Sequence, residues 1–235
     1  MSRRAKWGVI LVLALCTAIR AFAAETPSAA AGGERQQLER SIGNLKADAA
    51  RNPADADVWF SLGVAYHDLC NGFQVKCAAD AVAALEKADA LRHDAVTLAY
   101  LGSAWTLVGR DAENPMTKID GVLKGNEFLD EAVRMSPSDV VVRRIRYENN
   151  FALPDIFERK PVAEKDIDFL VKLYAKNPEA FEGQYDPAHV FYFKARFLSL
   201  RNDWKAARKY ALIAKKIVKN PALEAGIQNF LDGKE

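Results

Sequence analysis

Two stretches of this chain carry large, apolar and small residues at one repeated helical spacing, and that repetition restricts the fold more than any other feature. In ADVWFSLGVAYHDL, Trp59, Leu62, Gly63 and Tyr66 stand at i, i+3, i+4 and i+7. In AVTLAYLGSAWTLVGRD, Leu98, Leu101, Gly102 and Trp105 fill the same four positions. Residues at these offsets share one face of an α-helix, so each stretch predicts a helix that buries that face against a neighbour. Two copies of the same face predict a helical repeat. No run in the chain has the strict alternation that would call for a strand.

The shared spacing, W-x2-L-G-x2-Y, is the front half of the tetratricopeptide signature, and the chain resembles the tetratricopeptide repeat family. The resemblance implies an all-α fold: an α-solenoid of antiparallel helix pairs wound into a right-handed superhelix. It also implies a scaffold for other molecules, in which the first helix of each pair lines a concave groove. GRDAENPMTK and LPDIFERKP, within residues 54–175, are similar to segments of exported bacterial tetratricopeptide proteins. Family membership of this kind names neither a partner nor a reaction.

At the N-terminus, Arg3, Arg4 and Lys6 precede an apolar run from Trp7 to Ile19, followed by Ala21-Phe22-Ala23. This pattern predicts a secretory signal peptide over residues 1–23, cleaved after Ala23, and places the mature chain in the periplasm or outside the cell. The apolar run of 13 residues (19 − 7 + 1) is shorter than the roughly 20 that a membrane-spanning helix needs. Two alternatives stay open: lipidation at Cys16, which Leu15 disfavours, and an uncleaved anchor, which Arg20 near the cleavage site permits. Cleavage removes Arg3, Arg4, Lys6 and Arg20 and no acid, so the formal charge changes from +2 to +2 − 4 = −2. A near-neutral chain gives no electrostatic argument for nucleic acid as a partner.

Cleavage also leaves two cysteines, Cys70 and Cys77, flanking NGFQVK. In an oxidising compartment a pair this close predicts a disulfide between the two helices of the first repeat. A redox-active or metal-binding pair is the alternative. The spacing is not C-x-x-C, and His67 is the one nearby imidazole, where a zinc site needs three or four ligands.

Residues 24–33, AETPSAAAGG, are small and polar and predict a flexible leader; the helical domain is expected over 34–235. Leu38, Ile42, Leu45 and Ala49 place a capping helix ahead of the first full repeat, whose helices are expected near Asp55–Leu69 and Cys77–Leu91. The second repeat starts at Asp94, a good N-cap, and its first helix is expected to stop near Gly109. Its second helix is expected to begin near Pro115 and to protrude beyond its neighbours. A third repeat around SDVVVRRIRYENNFALP lacks the glycine and aromatic slots, with LPDIFERKP as an irregular corner that reads either as a packed turn in which Ile156 and Phe157 fill the gap or as a docking corner beside Arg143 and Arg146. A fourth pair and a closing helix, PALEAGIQNFLDG, complete nine or ten helices.

No catalytic motif stands out: the chain has no G-x-S-x-G, no glycine-rich phosphate loop and no H-E-x-x-H, so neither an enzyme nor a cofactor is expected. A protein or peptide partner in the groove is. Arg143, Arg146 and Asn150 recur at i, i+3 and i+7 and share one face, where guanidinium groups can grip a carboxylate. His67, Tyr192 and Arg196 occupy comparable inward slots. The same arginines have a second reading, as ion pairs with acids of neighbouring helices. From Lys194 to Lys219 nine bases face Asp203 alone, which permits contact with cell-wall material or an anionic lipid surface, although helical periodicity favours a solvated outer face.

Overall fold

The computed structural model describes residues 29–234, which form ten α-helices and no strand. They are α1 (Ala29–Arg51), α2 (Ala56–Phe73), α3 (Ala78–Leu91), α4 (Ala95–Asp111), α5 (Pro115–Met135), α6 (Val140–Ala152), α7 (Lys160–Lys176), α8 (Ala188–Leu200), α9 (Trp204–Ile217) and α10 (Pro221–Leu231). The expected signal peptide, residues 1–23, and residues 24–28 of the expected leader lie outside the described residues. Residues 29–33, expected as the end of that leader, belong to α1.

Local chemistry sets most of the helix starts. Asp55 accepts from the backbone N–H groups of Asp57 and Val58, Asp94 from Thr97 and Asp139 from Val142. Asn114 and Asn220 cap α5 and α10, each followed by a proline that has no N–H to satisfy at the first helical position. Helix α2 ends at Gln74, whose backbone takes the left-handed conformation with φ of 53°.

The described chain divides into two compact units, one running to Pro137 with Ala152–Phe157, the other comprising Ser138–Phe151 and Glu158 onward. In the first unit, Ile42 and Ala49 of α1, Leu62, Ala65 and Leu69 of α2 and Ala78 and Ala84 of α3 share one core. Cys70 and Cys77 join this core at disulfide distance, with Cα atoms 5.5 Å apart.

The glycines of the repeated spacing lie beneath partner helices. A Cβ on Gly63 would come within 2.5 Å of the Leu85 side chain on α3. Between α4 and α5 backbone rather than side chain lies this close: a Cβ on Gly102 would stand 2.7 Å from the Gly125 carbonyl and one on Gly121 would stand 2.7 Å from the Gly109 nitrogen. Two pairs of facing glycines thus bring the backbones of α4 and α5 together along an antiparallel seam. This seam bears on two expectations. Helix α4 ends at Asp111, close to the expected stop near Gly109, but Gly109 itself lies inside the helix, where its missing side chain admits α5. The first turns of α5 do not protrude past α4 but run alongside its last turns.

In the second unit α6 and α7 have no such glycines and are joined by long side chains instead. Tyr147, Phe151, Ala163, Ile167, Leu170, Val190, Phe193 and Phe197 form the core between α6, α7 and α8, and Phe191, Tyr192, Ala214, Leu223 and Ile227 form a second one with α9 and α10. At the corner after α6, Leu153 is buried, a short 3-10 turn covers Asp155–Phe157, and Ile156 is 53 % exposed. Ile156 therefore does not fill the gap it was expected to fill.

Candidate functional site

Helix α7 carries Ala163, Asp166, Ile167 and Leu170 at i, i+3, i+4 and i+7, so a carboxylate occupies one slot of an otherwise apolar stripe. Asp166 is fully buried. Its Oδ1 accepts from Arg143 Nη1 at 2.5 Å and from Arg146 Nη2 at 2.8 Å, and its Oδ2 accepts from Arg146 Nε at 2.7 Å. Arg146 thus makes the two-pronged fork that guanidinium and carboxylate planes favour. Arg143 also lies over the Phe169 ring, 3.9 Å from its centroid. The carboxylate that these two arginines grip belongs to the chain itself, so of their two sequence readings the ion pair with a neighbouring helix is the one the geometry forms.

Asn150, on the same face of α6, is fully buried; its Oδ1 accepts from Arg159 Nε at 3.0 Å, and its Nδ2 has no acceptor among the described residues. Arg196 lies over the rings of Phe151, Tyr192 and Phe193 at 5.3, 5.8 and 5.8 Å. The Tyr192 hydroxyl donates to the Gly226 carbonyl at 3.4 Å. His67 belongs to the first unit and is buried, with Nε2 2.8 Å from Ser103 Oγ and its ring edge-on to Tyr100. Five of the six candidate residues therefore share the second unit, and the sixth sits in the core of the first.

Sequence reasoning missed a tyrosine pair in the second unit. The hydroxyls of Tyr147 and Tyr185 are hydrogen-bonded, and burial pushes both phenols well above their usual range. His189 stacks on Tyr185 with ring centroids 5.2 Å apart, and burial holds its imidazole below the ordinary histidine value. The separation of Tyr147 and Tyr185 in sequence hides this contact.

The other missed feature is a cleft in the first unit, about 610 Å³ in volume, lined by Asp89, His93, Leu98, Glu127, Phe128, Asp130, Glu131 and Arg134. Leu98 and Phe128 give it apolar wall, and four carboxylates stand against one guanidinium. Asp89 pairs with His93 and Glu131 with Arg134. The signal was present in NEFLDEAVR, where three acids fall on adjacent turns of α5, but their union with Asp89 needs the fold.

The basic stretch from Lys194 to Lys219 splits in two. Lys194 on α8 pairs with Asp168 at 2.7 Å, and Arg201, just after α8, makes a two-pronged pair with Glu164 at 2.7 Å, so these two bases are matched by acids of α7. Those on α9 are exposed.

Among the described residues no group of three or more His, Cys, Asp and Glu side chains converges for a metal ion, and no helix is long and apolar enough to cross a membrane. Cys70 and Cys77 are buried, whereas a redox-active thiol needs access to its partner. No protein-family model matches the chain, and no curated protein matches it. Function is therefore read from the fold and its surfaces.

Proposed function

We propose that the chain is an exported, non-catalytic helical-repeat scaffold of the tetratricopeptide kind that holds a protein or peptide partner. The signature glycines beneath partner helices in two successive pairs support the repeat reading. The observation that carries the binding reading is the cleft of the first unit, whose apolar wall at Leu98 and Phe128 lies among the carboxylates Asp89, Glu127, Asp130 and Glu131. Such a surface fits a segment that buries one apolar side chain and sets a lysine or arginine beside it, with the charges steering association. The arginine cluster on α6 takes no part, because its hydrogen bonds serve Asp166.

The test is an anisotropy titration with two labelled amphipathic peptides, one carrying lysines and the other glutamates on the polar side. Saturable binding of the lysine peptide alone is expected, weakened at least about tenfold by Glu127→Lys with Glu131→Lys. Equal affinity for both peptides, or unchanged binding by a variant that keeps its helicity, sinks the reading.

A further inference from the structure

Helix α9 has an unusual division of labour between its faces. Ala207, Ala211 and Ala214 are fully buried against the second unit, small enough to let the helix lie close. The opposite face carries Lys205, Arg208, Lys209, Lys215 and Lys216, all exposed, with Trp204 57 % and Leu212 49 % exposed among them. At 3.6 residues per turn these seven side chains fall within an arc of about 140°. Leu200, at the end of α8, adds a further exposed apolar side chain just ahead of Trp204.

No acid stands on α9. Asp203, immediately before it, spends its carboxylate on the Ala206 backbone N–H. On the neighbouring α10, Gln228 accepts from Lys215, and the Leu231 carbonyl accepts from Arg208 at 3.3 Å. Asp232, just beyond, accepts from Gln228 and Lys234. Glu224 is the remaining acid of that helix. Lys205, Lys209 and Lys216 have no carboxylate partner among the described residues. An ordinary solvated helix intersperses acids with bases at i, i+4 and keeps a tryptophan mostly covered. This face does neither.

We propose that the outward face of α9 docks on an anionic phospholipid surface. Clustered bases are drawn to anionic headgroups, and the ring of a tryptophan favours the headgroup level of a bilayer. Lys205, Lys209 and Lys216 meet the headgroup phosphates while Trp204 and Leu212 enter the interface between them. The contact is peripheral: α9 keeps its alanine stripe in the protein core and gives the membrane only its outer arc. It is independent of the peptide reading, which concerns the other unit.

Co-sedimentation of the full chain with phosphatidylcholine vesicles, with and without phosphatidylglycerol, tests this. The apolar segment 7–19 contributes the same background to every variant, so the difference between wild type and variant is the readout. Binding to the anionic vesicles is expected to weaken with salt and to fall at least about a hundredfold in Lys205→Glu with Lys209→Glu and Lys216→Glu. A blue shift of tryptophan emission on binding is expected to shrink in Trp204→Phe. If charge reversal impairs folding, the neutral Lys209→Gln with Lys216→Gln variant carries the same comparison. No preference for anionic over neutral vesicles at low salt overturns the proposal, as does binding that the lysine variants leave unchanged. Preferential capture of a soluble polyglutamate over vesicles overturns it too, in favour of an acidic protein surface.

Discussion

Asp166 shows what one side chain decides. A carboxylate removed from water is tolerated only while its partners hold it, and removing one partner of such a pair typically costs about 3 to 5 kcal/mol. Arg146→Ala is expected to lose stability on that scale in urea denaturation, with Arg146→Lys recovering only part because an ammonium cannot make the fork. Replacing the whole cluster, Arg143→Met with Arg146→Met and Asp166→Leu, is expected to cost far less than Arg146→Ala alone. A near-zero effect of Arg146→Ala would mean that water reaches Asp166. His189 gives a second effect at this scale. Burial lowers its folded pKa below the usual histidine value of about 6.5, with Asp186 opposing the shift and Arg144 adding to it. Below that pH the unfolded chain binds a proton that the folded chain resists, so stability is full above it and declines as the pH falls toward the folded pKa. His189→Gln is expected to flatten the decline in urea midpoints between neutral and mildly acidic pH.

At the scale of helices, the α4–α5 seam depends on atoms that are absent. Gly102→Ala places a methyl group 2.7 Å from the Gly125 carbonyl, a contact that backbone must move to relieve. Overpacking of this kind costs typically about 1 to 3 kcal/mol. Gly43 in α1 has nothing within 4 Å of the corresponding position. Gly43→Ala is therefore expected to stabilise by roughly 0.5 to 1 kcal/mol, through lower entropy of the unfolded chain and better helix propensity. Thermal melts of the two variants should move in opposite directions, and a common direction would contradict the seam. The contrast extends to the α6–α7 pair, which has no facing glycines and is joined by the core around Tyr147, Phe151, Ile167 and Leu170 together with the ion cluster of Arg143, Arg146 and Asp166.

At the scale of the whole molecule, the two compact units rest on different devices: close backbone approach with a cysteine pair in the first, aromatic packing with an internal ion cluster in the second. Native-state hydrogen exchange should register each separately. Arg146→Ala is expected to raise exchange across 138–151 and 158–234, and Gly102→Ala across the helices up to Pro137. Equal acceleration everywhere in either variant would show that the chain opens as one body.

The sequence by itself determined that this chain is helical and where most helices begin. The reason is physical range: capping by Asp55, Asp94, Asn114 and Asn220 and the face shared by Trp59, Leu62, Gly63 and Tyr66 are settled within one or two turns of chain. Periodicity also showed that Arg143, Arg146 and Asn150 share a face. It could not show what that face meets, because helical spacing fixes which side of a helix is turned inward and not which residue of another helix lies opposite. Asp166, 20 residues beyond Arg146, was visible as a lone acid in an apolar stripe, but only the approach of α7 to α6 made it the arginines' partner. The same limit applied to Gly109: local rules placed the helix end near it, and α4 does end at Asp111, but only the facing Gly121 shows what that glycine makes room for.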